Sequence, residues 1–369
     1  MVIGKNRETK LIVDLAAITH NIQHERQILA ESVEMFAVVK ANGYGHGILT
    51  VAKTALNAGA TGLCVAILDE ALALREAGIA VPILVLGITS PAVAEIAAKA
   101  KISLTVGSVE WLKEYEHQSN ATEPLNVHLG MDTGMGRIGF RDVEEVKTAE
   151  QILKSDIFNF EGVFTHFATA DQQDAEYFDQ QFEAWYQLTG ALTDLPKYVH
   201  VANSATSLWH LPVTGNMIRL GIAMYGLNPS GLAIKDLPYE LEPAAELVTK
   251  LDFVKQIQAG NSVSYGAAYT AKNDEWIGTV PVGYADGYPR CMTGFYVLID
   301  GQRCEIIGRI CMDQMMIRLP KQYSIGTKVT LIGFQGDQQI GATEIAEYAG
   351  TINYEIMTSI AERVERIYK

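Results

Sequence analysis

The chain has 369 residues, 48% hydrophobic and 20% charged, an ordinary balance for a globular protein and a length that suits two domains. A formal net charge of -14 argues against nucleic acid or an anionic membrane as partner. Cys64, Cys291, Cys304 and Cys311 show no CxxC spacing, so neither a zinc site nor a disulfide framework is expected. No apolar run is long enough to span a bilayer and the start of the chain lacks a signal-peptide pattern, so a cytoplasmic enzyme is the expectation.

Residues 1–13 read as an isolated strand. Asp14 then caps a helix through LAAITHNIQHERQILA, apolar at helical spacing. The apolar run 36–39 reads as a buried strand that ends at Lys40. An ammonium there is partly desolvated and its pKa falls, which suits a lysine that forms a Schiff base with an aldehyde. A lysine that snorkels to water from a strand end explains the same pattern. Gly43, Gly45 and Gly47 follow, and they permit a sharp turn and a close approach to the backbone.

Further apolar runs come at 62–67, 83–87, 102–106, 125–129, 158–166, 198–204 and 217–225. Helical stretches separate them: near 48–58, from Asp69, from Ser90-Pro91, from Ser108, from Asp142 with Glu145, around 174–193, and just after Ser204. Strand and helix in regular alternation mean parallel strands, and eight of them is the number that closes a barrel.

Chemistry on such a barrel sits at the C-terminal ends of its strands. The polar residues there are Lys40, Asp132, Arg137, His166, Asn203, Ser204 and Arg219. A phosphate site is expected after the seventh and eighth strands, where Asn203-Ser204 and Gly221-Ile222 lie and a helix begins just after Ser204 with a hydroxyl and free backbone amides at its start. From about 241 the chain changes to short strands with turn signals, at 247–257, 262–264, 276–282, 295–299, 305–312, 315–319 and 328–332, and one late helix at 343–349. The expected fold class is therefore α/β. An N-terminal (β/α)8 TIM-like barrel over 11–240 precedes a mainly-β domain over 241–369, with residues 1–10 as an added strand of the latter.

Nine motifs in order carry a resemblance to the alanine racemase family. They are VVKANGYGHG (38–47), MDTGMGRIGF (131–140), THFATAD (165–171), ANSAT (202–206), RLGIAMYG (219–226), SYGAAY (264–269), GYADGY (283–288), GRICMDQ (308–314) and NYEI (353–356). They span nearly the whole chain. The resemblance implies racemisation of L-alanine and D-alanine with pyridoxal 5'-phosphate, supplying D-alanine for peptidoglycan. It also implies a homodimer whose active sites are shared between chains.

By the same resemblance Lys40 holds the cofactor and serves as one base, and Tyr265 of a partner chain serves as the other on the opposite face. A tyrosine titrates near about 10, so it needs cations nearby, and His166 and Arg219 are the candidates. An aromatic at a domain edge is the plainer reading of Tyr265. Arg219 is expected at the ring nitrogen, keeping its own proton, with His200 either supporting it or filling the core. A strand-end salt bridge is the plainer reading of Arg219. The phosphate falls to Asn203, Ser204, Gly221, Ile222, Tyr44 and Tyr354. The substrate carboxylate falls to Arg137 and the backbone of Met312, and Tyr284 and Tyr354 narrow the entrance to a methyl-sized pocket.

One position departs from the family. Much of it has a lysine two residues before the Asp of MDTGMGR, carbamylated so that its anion aligns the arginine of the motif. Gly130 stands there in this chain. If Arg137 is buried, its charge needs an anion, so chloride or ordered water is expected beside Gly130, with a nearby Asn or Asp as the alternative. Two other functions fit the same motifs: a racemase of serine or broader specificity, and a non-catalytic cofactor-binding protein.

Overall fold

The computed structural model describes residues 2–120, 122–212 and 215–369. The chain forms two compact units. One comprises Ile18–Gly43 and Ile48–Glu242; the other takes the chain up to Ala17, Tyr44–Gly47 and Pro243–Lys369.

Eight strands build the first unit: β1 (Glu34–Val38), β2 (Gly62–Val65), β3 (Ile83–Ile88), β4 (Ser103–Val106), β5 (Leu125–Gly130), β6 (Phe158–Phe164), β7 (Tyr198–His200) and β8 (Met217–Leu220). Each is parallel to the next, and β8 returns to pair with β1, Phe36 opposite Arg219. Between β7 and β8 a single parallel bridge, Ala202 to Ile218, nearly completes the circle. These strands are apolar on both faces, as a parallel sheet covered by helices requires. Met35, Leu63, Leu84, Leu104, Val127, Val163 and Ile218 are wholly buried. Each such side chain contributes roughly 1.5–3 kcal/mol on leaving water.

Polar caps set the helix starts. Asp14 Oδ1 accepts from the amides of Ala16 and Ala17. Ser108 Oγ accepts from Trp111, and Asp142 Oδ1 from Glu144 and Glu145. Phe178 and Trp185, at helical spacing, lie buried on one face of Glu176–Thr189.

The second unit is mainly β. Its largest sheet runs in the order Phe253–Ile257, Glu275–Val280, Met315–Leu319, Gln302–Ile307, Tyr296–Ile299, Lys328–Gln335, Ala245–Lys250, Lys10–Val13, Glu365–Tyr368. The strand Lys10–Val13 is not isolated. It pairs antiparallel with Ala245–Lys250 and parallel with Glu365–Tyr368. A barrel beginning at residue 11 would cut through this strand, and the barrel unit begins instead at Ile18. The helix Asn353–Ser359, which carries Tyr354, was not expected from the sequence.

Asp286, in the GYADGY stretch, anchors this unit. Its carboxylate is 1% exposed and takes hydrogen bonds from Arg7 Nη1 at 2.5 Å, Arg363 Nε at 2.7 Å and the Gly283 amide at 3.0 Å. Burial alone would raise its pKa, but the donors from Arg7 and Arg363 outweigh it and hold the group below the usual aspartate range. A depressed carboxyl stabilises the fold fully above its unfolded value, about 3.9, and the contribution is lost as pH falls through the lower folded value. Asp286→Asn should therefore destabilise the chain at pH 7 by on the order of 3 kcal/mol, because two guanidinium groups lose their counter-charge. The loss should shrink toward pH 3 in denaturant titrations. A deficit of the same size at pH 3 and pH 7 would show that charge is not the cause.

Candidate active site

Just beyond Lys40 the chain enters a backbone that side chains rarely adopt. Ala41 (φ 52, ψ 52), Asn42 (φ 54, ψ 45) and Gly43 (φ 62, ψ 47) are left-handed, and Tyr44 follows at φ 50. Left-handed residues cost roughly 1–2 kcal/mol each, so something must hold them. The Gly43 amide donates to Val39 O, the Ile48 amide to Asn42 Oδ1, and the Ala41 amide to Glu70 Oε1. Glu70 Oε2 accepts from Ala66, which ties the turn to the end of β2. Gly45 (φ 83) is the close approach: a Cβ there would lie 2.2 Å from Met357 O. The turn fixes Lys40 at a strand end. Burial, followed by the charge of Arg137, lowers its pKa from the usual lysine range.

Arg219, on β8, is buried. Its Nη1 donates to His200 Nδ1 at 2.7 Å and to His200 O at 3.0 Å. Its Nη2 donates to Thr165 O at 2.8 Å and lies 3.4 Å from His166 Nδ1. No carboxylate pairs with it among the described residues, so the salt-bridge reading does not hold. Burial brings its pKa down to about 10, which leaves the guanidinium charged at neutral pH. That charge adds to burial in setting the state of its neighbours. Burial first, then Arg219, hold both His166 and His200 well below the usual histidine value. His166 is therefore neutral, not the cation expected beside a catalytic tyrosine. His200 supports Arg219 directly. Cys64 is buried and pushed up to about 12, so it is a thiol without nucleophilic character.

Asn203 caps the helix Ser204–Trp209, its Oδ1 accepting from Thr206 N and Thr206 Oγ1. Ser204, at the first helical position, accepts from the Gly221 amide at 2.8 Å. Ser204 and Gly221 are thus brought together, Ile222 follows in a short 3-10 turn, and Asn203 is occupied in shaping the helix start. In the second unit the rings of Tyr44 and Tyr354 lie 6.1 Å apart.

Tyr265, Tyr284 and Met312 also lie in the second unit, and all three are exposed, at 70%, 42% and 53%. Tyr265 and Met312 line a pocket of about 390 Å³ with Ser264, Cys311, Asp313 and Gln314. Ser264 (φ 71) and Ala267 (φ 47) flank Tyr265 in left-handed conformations, and Ser264 Oγ donates to Arg309 O at 2.6 Å. The Met312 carbonyl accepts from the Ala285 amide and the Cys311 carbonyl from Tyr284.

Arg137 departs from expectation. It is exposed in the chain, not buried, so its charge does not require a chloride. The nearest atoms to a Cβ at Gly130 would be the ring of Phe164 at 3.4 Å and Thr105 at 3.7 Å, ordinary contacts. The loop that carries Arg137 is nonetheless held. Asp132 Oδ1 accepts from the amides of Gly134 and Gly136. Buried Gln181 spans Thr133 Oγ1, His166 O and the Ala168 amide. Gln181 went unnoticed in the sequence, where its only signal is a polar residue between Phe178 and Trp185 on the apolar face of a helix.

Residues 13–229 match the family described as Alanine racemase, N-terminal domain, and residues 244–368 match Alanine racemase, C-terminal domain. A protein named alanine racemase from Limosilactobacillus reuteri (strain DSM 20016) is 59% identical, covering 100% of this chain and 99% of its own length. The crystal structure of alanine racemase from E. faecalis is 49% identical, covers 100% of both chains and superposes with a TM-score of 0.98. A histidine racemase from Leuconostoc mesenteroides subsp. sake is 36% identical, again with 100% of both chains covered, at a TM-score of 0.94.

The neutral histidines have a consequence for stability. His128, like His166 and His200, is lowered by burial. A histidine depressed in the fold stabilises it fully above about 6.5, and the contribution falls as pH drops toward the folded value. The chain should lose stability as pH falls below about 6.5, by at most roughly 1.4 kcal/mol per pH unit for each histidine that stays neutral in the fold, with proton uptake on unfolding. Denaturant titrations at several pH values measure this slope. A flat profile over that interval would mean the imidazoles are protonated in the fold.

Proposed function

The chain belongs to the alanine racemase family, and from that premise we propose that it interconverts L-alanine and D-alanine with pyridoxal 5'-phosphate, using Lys40 and Tyr265 as its two acid–base groups. The observation that carries this reading is the barrel's cluster of Lys40, neutral His166 and a buried Arg219 without a carboxylate partner among the described residues. A cluster of positive character fits an anionic aldehyde better than it fits an amine. The cofactor, when bound, supplies the electron sink that acidifies the hydrogen on the substrate's α-carbon.

The chain's own residues do the rest. Lys40 Nζ would hold the cofactor; freed of it, the amine takes or gives a proton on one face of the α-carbon. Burial and the neighbouring guanidinium charges lower its pKa, which makes the neutral amine that acts as a base easier to reach than in an exposed lysine. Tyr265 would act on the opposite face, and inversion needs such a pair. Arg219 would donate to the ring nitrogen while keeping its own proton, since a guanidinium at about 10 does not give it up at neutral pH. It is then the remaining candidate cation for lowering a tyrosine's pKa, because His166 carries no charge. Ser204, the backbone of Gly221 and Ile222, and the hydroxyls of Tyr44 and Tyr354 would take the phosphate. Arg137 and the Met312 backbone would take the substrate carboxylate, with Tyr284 at the entrance.

Exposure of Tyr265 and Met312 at one pocket, and of Tyr284 in the same unit, supports a homodimer in which each chain lends these residues to the other's site. Supply of D-alanine for peptidoglycan in the cytoplasm is the role that goes with the family. The histidine racemase relative favours a second reading, a broader substrate range. Initial rates on L-alanine, L-serine and L-histidine side by side decide between the two, and alanine should be turned over fastest.

Lys40→Ala should lower racemisation by at least about a hundredfold, since attachment and one base go together. Tyr265→Phe should slow exchange of the α-hydrogen by at least about a hundredfold from one enantiomer and far less from the other. Deuterium incorporation followed separately for L-alanine and D-alanine measures it. Equal mild effects would remove Tyr265 as the second base.

A further inference from the structure

Behind Arg219 a line of polar groups runs through the inside of the barrel. Arg219 Nη1 meets His200 Nδ1 at 2.7 Å, His200 Nε2 meets His128 Nδ1 at 2.9 Å, and His128 Nε2 meets Glu161 Oε2 at 3.3 Å. Ser103 Oγ donates to the same carboxylate oxygen at 2.5 Å. Strands β4 to β8 each contribute one of the five groups. A space is made for the line: a Cβ at Gly162 would lie 2.3 Å from His128 Nδ1, so only glycine fits opposite that ring.

Donor and acceptor roles along the line follow from its ends. A guanidinium can only donate, so His200 Nδ1 accepts and its proton is on Nε2. That proton is given to His128 Nδ1, so the His128 proton is also on Nε2 and is given to Glu161. Starting from the other end gives the same answer, because an ionised carboxylate can only accept. Both histidines are lowered by burial and are neutral. Burial would raise Glu161, but the hydrogen bonds from His128 and Ser103 outweigh it and the carboxyl lies below its usual value. Lys197 is the other charged group acting on Glu161 and His128, with Glu34 acting on Lys197 in turn.

We propose that Glu161 is a positioning residue for the reaction: it is the remote counter-charge of Arg219, and through His128 and His200 it fixes the direction in which the guanidinium donates. This rests on the proposed function for its effect on turnover, but not for its effect on the imidazoles. A glutamine at 161 can donate as well as accept. Donation from it would reverse both histidines and set a His200 Nδ1–H against Arg219 Nη1–H, a conflict that moves the guanidinium.

The test is Glu161→Gln, with Glu161→Asp as the conservative variant, in the full chain carrying 15N-labelled histidine and loaded with pyridoxal 5'-phosphate. In the unsubstituted protein His128 and His200 should both be neutral Nε2–H tautomers from pH 6 to 9. Glu161→Gln should give mixed tautomers at both rings and lower kcat for alanine roughly tenfold with KM little changed, as for other outer partners that orient a site group. Glu161→Asp should restore the tautomers and most of kcat. Wild-type imidazole signals in Glu161→Gln would overturn the proposal, whatever happens to Tm. So would mixed tautomers with unchanged kcat. Should Lys40→Ala retain full activity, the proposed function fails, while the imidazole signals still decide whether Glu161 sets the line.

Discussion

A guanidinium buried inside a barrel, with no carboxylate touching it among the described residues, constrains everything near it. Desolvating such a charge is costly, and acceptors for its N–H groups offset that cost. Arg219 finds carbonyl oxygens of Thr165 and His200 and the ring nitrogens of His200 and His166. Each of those neighbours must then accept, and an imidazole that accepts from an arginine cannot also be protonated at that nitrogen. The state of the histidines thus follows from their burial together with the charge of one residue on one strand. The same positive field acts on Lys40, whose pKa falls by burial and by the charges of Arg137 and Arg219.

The second constraint is backbone strain beside Lys40. Consecutive left-handed residues follow it, and they persist because Glu70, Asn42 and Val39 hold the turn. Strain of this kind gives a lysine a fixed exit from the strand. Tyr265 stands in a comparable setting in the other unit, between Ser264 and Ala267. Both residues with proposed acid–base roles therefore sit on backbone that the surrounding structure must hold in place.

Much of the fold was legible in the sequence because parallel strands are buried on both faces. Runs such as 36–39 and 125–129 stay apolar without alternation, and their number and spacing point to a barrel. The ends were less legible. The run 217–225 is a strand only to Leu220 and then a short 3-10 turn, because apolar content alone does not tell the two apart. The place of Lys10–Val13 in a sheet with Ala245–Lys250 and Glu365–Tyr368 depends on pairings across most of the chain, which no local pattern carries. Short motifs drew attention to Lys40, Arg219 and Tyr265. His128 and Glu161 lay in strands that read as core, and only the register that sets His128 against Gly162 brings them into one line. The exposure of Arg137 is not legible in its motif, which gives a residue's neighbours in sequence and says nothing of its burial.

The central claim is that Lys40 carries an aldehyde cofactor beside the buried charge of Arg219. The most direct measurement is the absorption spectrum of the purified protein before and after borohydride, followed by peptide mapping of the reduced product. The account predicts a visible band that disappears on reduction, with the pyridoxyl group recovered on the peptide that contains Lys40. A band that survives reduction, or a label on another lysine, would contradict it.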